Sequence, residues 1–235
     1  MKTSIPRLIG LCVSLAALLT GCDGDDDQPG AADAQVASAD AGATGAGDAA
    51  VVVDPGPNDP ALIGRWGGVG VLELEFNADG SMRRLVNGRV DQQGTWHTAA
   101  GRLITRSLDQ RTSTSYGVTG SRLFLNRGRA LGAASGLVAT WRFDPTTENL
   151  DAQGNVTGLV DPRVMDLTLR ADGRASSVET LGPLPPTAGT GTWQRVAGGM
   201  AIEVTLEVDG STHELQLRLD GDTPAGFAAD RIAAP

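Results

Sequence analysis

The sequence has few of the residues that would build a crosslinked, membrane-spanning or nucleic-acid-binding protein. It contains two cysteines and 4% aromatic residues, so a disulfide-dense scaffold is excluded. None of its apolar runs reaches the ~20 residues that a membrane-spanning helix needs. The net charge is −9, whereas a protein that neutralises phosphates needs a basic surface. We therefore expect no nucleic-acid partner.

Motifs that support known catalytic chemistry are also missing. There is no Gly-x-Ser-x-Gly elbow, His-Glu-x-x-His helix or phosphate loop, and Lys2 is the only lysine. Glu73 and Glu75 share one outward face of a predicted strand, where solvation keeps a carboxyl from acting as a general acid. His97 and His213 lie 116 residues apart without a clustered carboxylate, so no metal site is expected. We expect no cofactor, no catalytic residue and no enzyme activity, with an uncharacterised hydrolase as the weaker alternative.

The first 22 residues have the pattern of an export signal. Met1–Arg7 is short and basic, and Leu8–Leu19 is an apolar core of 12 residues, too short for a permanent membrane span. The motif that follows, Leu19-Thr20-Gly21-Cys22, resembles the lipobox of bacterial lipoproteins. That resemblance implies a signal peptide over 1–21, cleavage before Cys22 and a diacylglycerol on the Cys22 thiol. The alternative is an ordinary secretory signal with a chance cysteine.

By the same resemblance, the mature chain is anchored to a lipid bilayer of the bacterial cell envelope, outside the cytoplasm. Two or three acyl chains hold a protein stably at a membrane, where one chain binds only marginally. Asp23 resembles an inner-membrane retention signal of enteric bacteria, but the choice between inner and outer membrane stays open. Cys12 is removed with the signal, so the mature chain forms no internal disulfide.

Residues 22–59 are predicted to be the lipidated cysteine followed by a disordered acidic linker. Residues 23–59 contain nine aspartates and no basic residue, which places a charge of −9 there and leaves only −2 for residues 60–235. Apart from Val51–Val53, the linker has no apolar cluster that could offset the entropy of ordering. Its aspartates lack the closing glutamate of a calcium loop. The acidity therefore describes a spacer between the anchor and a folded part.

From residue 60 onward, apolar and polar residues alternate with a period of two, and no helical stripe occurs. The clearest alternating segments are Leu72–Phe76, Met165–Leu169, Ile202–Val208 and Leu215–Leu219. Hairpin signals lie between such segments at Asp79-Gly80, Asp172-Gly173, Asp209-Gly210 and Asp220-Gly221. This pattern predicts an all-β, antiparallel meander that is packed on one face.

The strand pattern occurs twice, over 60–130 and 131–235. In both copies an apolar triplet precedes an Asp-Gly turn, and a Gly-Thr-Trp motif follows it. An apolar residue comes seven positions after that tryptophan, Leu103 in the first copy and Met200 in the second. Because the tryptophans recur at matched positions, we expect them to be core or barrel-closing residues. The four are Trp66, Trp96, Trp141 and Trp193.

The order of Gly64-x-Trp66, apolar strand, Asp-Gly turn and Gly-Thr-Trp resembles the lipocalin-like families of bacterial envelope proteins. The resemblance covers most of 62–231 and implies an antiparallel barrel with a tryptophan closing its base; Trp141 lacks the matching glycine and has Ala139 there. One barrel made from both repeats is the first expectation, and two small β domains are the alternative. The resemblance favours a non-catalytic binding module for a small apolar ligand. A packed interior with loops contacting another envelope protein is the alternative.

Three further segments are candidates for contact surfaces. Residues 144–162 and 181–190 are predicted as long loops, either lids, contact surfaces or tolerated insertions. Arg122, Arg127 and Arg129 form a basic group, which is either a site for an anionic headgroup or a solvated edge that discourages strand pairing. The oligomeric state is not indicated by any of these patterns.

Overall fold

A computed structural model describes residues 58–68, 72–196 and 198–233. Cys22, the signal segment and nearly all of the predicted linker lie outside the described residues. The described part is organised as antiparallel β-strands, which confirms the expected fold class. The strands are β1 (Gly64–Gly68), β2 (Leu72–Phe76), β3 (Ser81–Val86), β4 (Arg89–Ala99), β5 (Arg102–Arg106), β6 (Gln110–Thr119), β7 (Arg122–Arg127), β8 (Arg129–Ala130), β9 (Ala139–Phe143), β10 (Thr146–Leu150), β11 (Val156–Asp161), β12 (Arg163–Leu169), β13 (Arg174–Leu181), β14 (Thr187–Arg195), β15 (Ala201–Val208), β16 (Ser211–Asp220) and β17 (Thr223–Ile232).

The alternating pattern separates buried from solvated side chains, as expected for a sheet covered on one face. In β2, Leu72, Leu74 and Phe76 are buried. The intervening Glu73 and Glu75 pair with arginines on the neighbouring strands β1 and β3, so their charges are compensated across the sheet. The outward placement predicted for these two carboxylates therefore agrees with the structure.

Eight strands close a ring. β1 to β7 pair with their sequence neighbours, and β17 pairs with both β7 and β1, each time antiparallel. Seven of these strands come from the first sequence repeat, and the eighth is the last strand of the second. Because β17 fills the gap between β1 and β7, neither of those strands keeps an open edge in this ring.

A second run of strands is also built from antiparallel pairs. It passes from β8 through β9, β12, β13, β14, β15 and β16 to β17. Gly128, the single residue between β7 and β8, donates its N–H to Pro224 O at the start of β17. β7 begins beside β6 and continues through β8 beside β9, whereas β17 begins beside β16 and ends beside β1. Each half therefore supplies its last strand to the other: β17 of the second half pairs with β1, and β8, which continues β7, pairs with β9. The β7–β17 pair belongs to both halves.

Two separate hydrophobic clusters fill the two halves. One contains residues of β1 to β7 together with Ala229 of β17, and the other contains residues from Leu137 to Leu219. This arrangement differs from the expectation of one interior made from both repeats, because the ring takes only one strand from the second repeat. The shared β7–β17 pair explains the difference, since it divides the sheet between two interiors.

Three sequence-based details differ from the structure. The segment 144–162, expected to be a long loop, is largely the β10–β11 hairpin, and the loop expected at 181–190 is shortened to 182–186 by β13 and β14. The residue that matches Leu103 is Ile202, not Met200. Ile202 faces Arg195 in the ladder as Leu103 faces Thr98, and it is fully buried, whereas Met200 is 55% exposed. A two-residue turn extension before β15 explains this shift.

Candidate functional site

The four predicted tryptophans make matched hydrogen bonds in the two halves. The Nε1–H groups of Trp66 and Trp141 donate to the carbonyls four residues earlier, Leu62 O at 2.8 Å and Leu137 O at 2.9 Å. The Nε1–H groups of Trp96 and Trp193 donate to Asn77 O at 3.0 Å and to Arg170 O at 2.9 Å. Each of these carbonyls belongs to the residue that opens the preceding Asp-Gly turn. Trp66, Trp96 and Trp141 are buried and Trp193 packs on the second cluster. Their indole groups therefore satisfy backbone carbonyls inside the fold.

Arg231 covers Trp66 at one end of the ring, which is here called the base. Its guanidinium carbon lies 4.4 Å from the centroid of the Trp66 ring, and it donates to Ile63 O at 3.0 Å and Ala61 O at 2.7 Å. Gly64 has a φ of +132°, and a Cβ there would lie 3.2 Å from Arg231 Nη1. Glycine is thus required where the guanidinium crosses the chain. Sequence reasoning missed Arg231, because only the ladder places it beside Trp66.

Among the described residues, no arginine covers Trp141 of the second half as Arg231 covers Trp66, and the sequence of the second half differs at both positions involved. Trp66 faces Arg231 in the β1–β17 ladder, whereas Trp141 faces Ala130 in the β9–β8 ladder. Ala139 takes the place of Gly64 two residues before the tryptophan. The second half therefore has alanine at both positions, Ala139 where the first half has Gly64 and Ala130 where the first half has Arg231.

The base is also where the described chain begins. Asp59 Oδ2 accepts a hydrogen bond of 2.7 Å from the Tyr116 hydroxyl, and Leu62 is fully buried beneath the turn that Asp59 starts. Burial, together with the hydrogen bond to Asp59, raises the pKa of Tyr116 to about 12. Residues that precede Asn58 in the chain therefore join the fold at this end.

Large side chains fill the interior of the ring. A cavity of about 10 Å³ beside Gln92, Thr105 and Gln110 has room for about one water molecule. Arg84 is 4% exposed and forms an ion pair with Asp91. Among the described residues, Arg84 Nη1 and Gln92 Oε1 are buried without a hydrogen-bond partner. The arrangement suits a bound water, and a drug-sized ligand would need a pocket of ~300 Å³ or more.

The remaining sequence candidates do not converge. His97 is half-buried in β4, and burial together with the nearby Arg111 lowers its pKa. His213 is on β16, in the ladder opposite Leu206. In the part of the chain that the structure describes, no group of three or more His, Cys, Asp or Glu could hold a metal ion.

The arginine group near the middle of the chain is used in ion pairs. Arg122 pairs with Asp230 at 3.0 Å, and Arg127 pairs with Asp220 at 2.8 Å. Arg129 lies 3.9 Å from Asp144. The first two pairs join the first half to β17 and β16 of the second, so these guanidinium groups bridge the halves.

The β10–β11 hairpin exposes a group of apolar side chains that we call the hairpin surface: Leu108, Val156, Leu159 and Val160. Their exposed fractions are 94%, 46%, 54% and 44%. Leu108 belongs to it because Asp109 O accepts a hydrogen bond from Leu150 N, and Leu150 faces Val156 in the ladder. β11 pairs with β10 alone, so within the described residues its second edge has no ladder. An exposed apolar edge strand is where another chain can add a strand.

The hairpin is held firmly against the ring. β10 pairs with β6 over Thr146–Asn149, and Arg102 bridges the two by donating to Ser113 and to Asp144. The turn is closed by Asp151, whose carboxylate accepts hydrogen bonds from Gln153 N and Asn155 N. The hydrogen bond from the Asn155 side-chain amide, followed by the one from Asn155 N, lowers the pKa of Asp151. The segment is an ordered arm of the sheet and not a loop over the ring.

The hairpin turn and the base lie at opposite ends of the ring. β10 ends beside Gln110, where β6 begins, and β6 runs from there toward the base, where it turns into β7. Arg231 N donates to Ser121 O in that turn. The start of the described chain at Asn58 and the hairpin turn are therefore separated by the length of β6.

Comparison with known proteins adds no relative: no family model, no curated protein and no solved structure matches the chain. Within the described residues, no helix is long and apolar enough to cross a bilayer.

Proposed function

We propose that this chain is a lipid-anchored protein of the bacterial envelope whose β-structure is a non-catalytic interaction module that works through its surface. The observation behind this proposal is the contrast between a filled interior and the exposed hairpin surface. A carrier of a small apolar ligand needs an empty apolar cavity, whereas Trp66, Phe76 and Leu103 are packed inside the ring and the cavity beside Gln92 has room for about one water molecule. The hairpin surface instead offers four apolar side chains to a partner.

The fold that we propose is a pair of lipocalin-like barrels descended from one duplicated unit, with exchanged last strands. Matched hydrogen bonds support the duplication: Trp96 N donates to Gly80 O and Trp193 N donates to Gly173 O, both at 2.8 Å. A Cβ on Gly94 or Gly191 would meet the carbonyl of the facing strand, Arg106 or Thr205. Agreement at such specific contacts favours common ancestry of the halves over chance.

The anchor is proposed from the lipobox-like Leu19-Thr20-Gly21-Cys22, supported by the position of the base. The chain joins the fold at the base, so an anchor at Cys22 leaves the hairpin turn at the far end of the ring. The linker, as a flexible coil, reaches ~33 Å. A linker of this reach leaves the hairpin surface accessible to a partner near the membrane that holds the protein.

The anchor is tested with Cys22→Ser, with Cys12→Ser as the matched control. Both changes remove one thiol from the same 22-residue segment, and only Cys22 is proposed to receive lipid. The Cys22→Ser protein is expected in the soluble fraction and without the mass of a diacylglycerol, whereas the Cys12→Ser protein stays with membranes. Membrane association of the Cys22→Ser protein would contradict the anchor.

The filled interior is tested by native mass spectrometry of the protein purified from its own host. The expected spectrum contains the protein without any small molecule. A small molecule that is bound in a fixed ratio, and that the hairpin variant Leu159→Lys still retains, would show that the protein is a carrier and not an interaction module.

A further inference from the structure

We infer that the free edge of β11 pairs with β11 of a second copy of this chain, forming a two-fold dimer on the membrane. Every side chain described in β11 is exposed, and the strand has a ladder on one side only. Backbone N–H and C=O groups on the other side are thus available to a further strand. The inference deepens the proposed function by naming the partner of the hairpin surface.

The sequence of β11 is compatible with antiparallel pairing to itself. With the two-fold axis at the centre of a pair formed by the two copies of Leu159, each Leu159 faces the Leu159 of the other copy, and Gly158 faces Val160. Space exists for this contact, because a Cβ added to Gly158 would meet nothing within 4 Å. The only ionisable residue in the strand is Asp161, at its end, so no like charges oppose each other at the centre.

The shape of β11 limits the pairing to a closed dimer. The β10–β11 register shifts between Thr147 and Glu148 and again between Asn149 and Leu150. Such bulges twist the ends of an edge strand away from a neighbour, which leaves Gly158 and Leu159 as the centre of the contact. Because the contact is isologous and uses the one free edge of this hairpin, a pair of chains satisfies it and no fibre propagates.

The small size of this contact explains why the membrane matters. β11 has six residues, whereas a stable interface uses ~20–30 residues on each side. A contact this short is weak in dilute solution. Tethering raises the effective concentration of one chain near another to the millimolar range, so the dimer forms among lipidated copies.

The experiment places a cysteine at Gly158 in the full, lipidated chain and reconstitutes it in phospholipid vesicles with a short bismaleimide. Cys22 is acylated in this protein, so residue 158 holds the reactive thiol. Ser211→Cys, at the exposed start of β16, is the matched control. We expect a crosslinked dimer for Gly158→Cys at several times the level of Ser211→Cys. Equal crosslinking of the two proteins would overturn the dimer.

Charge exchange at Leu159 identifies the partner. On the Gly158→Cys background, Leu159→Lys alone and Leu159→Glu alone each place like charges at the two-fold axis, and crosslinking is expected to fall severalfold. A mixture of the two variants restores it, since Lys then faces Glu. Failure of the mixture to restore crosslinking, with both variants folded by circular dichroism, would show that β11 does not face β11.

The anchor and the dimer fail in distinguishable ways. The Cys12→Ser/Cys22→Ser form of the Gly158→Cys protein needs no lipid and has no other thiol, and it is expected to crosslink at ~1 mM protein, the range that tethering produces, but not when dilute. If lipidation is absent but this concentrated protein still crosslinks, the edge contact stands and the anchor is wrong. If the lipidated protein binds vesicles without crosslinking, the anchor stands and the dimer is wrong.

Discussion

The guanidinium of Arg231, on the last strand, lies over the indole of Trp66, on the first, with 4.4 Å between the guanidinium carbon and the ring centroid. The contact joins the two ends of the described chain and covers the base of the ring. It combines a cation–π interaction with two hydrogen bonds to carbonyls at which the chain enters the fold. The base is thus held by a residue that is far away in sequence.

Arg231→Ala is expected to lower the free energy of unfolding by about 1–2 kcal/mol, because it removes an exposed cation–π contact and two hydrogen bonds. Arg122→Ala is the control, since Arg122 lies at the same end but forms an exposed ion pair of small value. Urea unfolding of both proteins measures the difference. Equal stabilities of the two variants would mean that the contact of Arg231 with Trp66 adds no more to the free energy of unfolding than an exposed ion pair does.

Gly94→Ala and Gly191→Ala are each expected to destabilise the protein by about 2 kcal/mol or more. A Cβ at these positions would lie 2.0 Å from Arg106 O and 1.8 Å from Thr205 O, so the facing strand must move. Gly158→Ala is the matched control, because its added Cβ meets nothing within 4 Å. Thermal unfolding should separate the two from the control by several degrees. Similar effects at all three glycines would contradict the close approach of the strands.

Tyr116 is the only tyrosine, so its ionisation can be followed by absorbance alone. Its pKa in the folded protein is about 12, because of burial and the bond to Asp59, against ~10 in an unfolded chain. The folded state therefore holds this proton more tightly, and stability is retained below pH ~10 and falls as pH rises toward ~12. Tyr116→Phe should lack that fall.

Asp59→Asn tests the cause of the shift. This change is expected to lower the pKa of Tyr116, because the carboxylate that accepts the hydrogen bond from the Tyr116 hydroxyl is lost. Asp79→Asn should leave the pKa of Tyr116 unchanged. The measurement is the phenolate absorbance titration of each variant at pH values where circular dichroism reports a folded protein. An unchanged Tyr116 pKa in Asp59→Asn would assign the shift to burial alone.

Arg102→Ala is expected to loosen the β10–β11 hairpin without unfolding the ring, because it removes the bridge to Ser113 and Asp144. Hydrogen exchange of the amides over 146–161 should become faster, and exchange in β2 and β3 should stay unchanged. The control is Arg195→Ala, whose exposed ion pair with Asp222 lies elsewhere. Unchanged hairpin exchange in Arg102→Ala would show that the β6–β10 ladder holds the hairpin by itself.

Local structure could be predicted from the sequence where a short pattern determines it. The alternation in Leu72–Phe76 and the Asp-Gly signals at Gly80 and Gly173 correspond to strands and turns. At both turns the residue three before the glycine accepts its N–H, which is a contact encoded within four residues. Matched spacing likewise identified Trp96 and Trp193 as equivalent.

The parts that were missed depend on contacts between distant segments. No local pattern indicates that β17 lies between β1 and β7, because pairing partners far apart in sequence are selected by packing. The polar composition of the hairpin at 144–162 hides its alternation, so the sequence predicts a loop there. The turn closed by Asp151 and Gly154 was the signal that could have revealed it. Leu108 was missed because it is a single exposed residue in a turn.

The exchange of last strands determines the order in which the two halves of this protein can complete their folding. The first ring, although made from the part of the chain that is synthesised first, cannot close until β17, which ends at Ile232, has been completed. Until then the edges of β1 and β7 are unpaired, so the early half depends on protection from aggregation while the later half is produced. A chain that stops short of its last ten-residue strand therefore loses closure of the half that was made first.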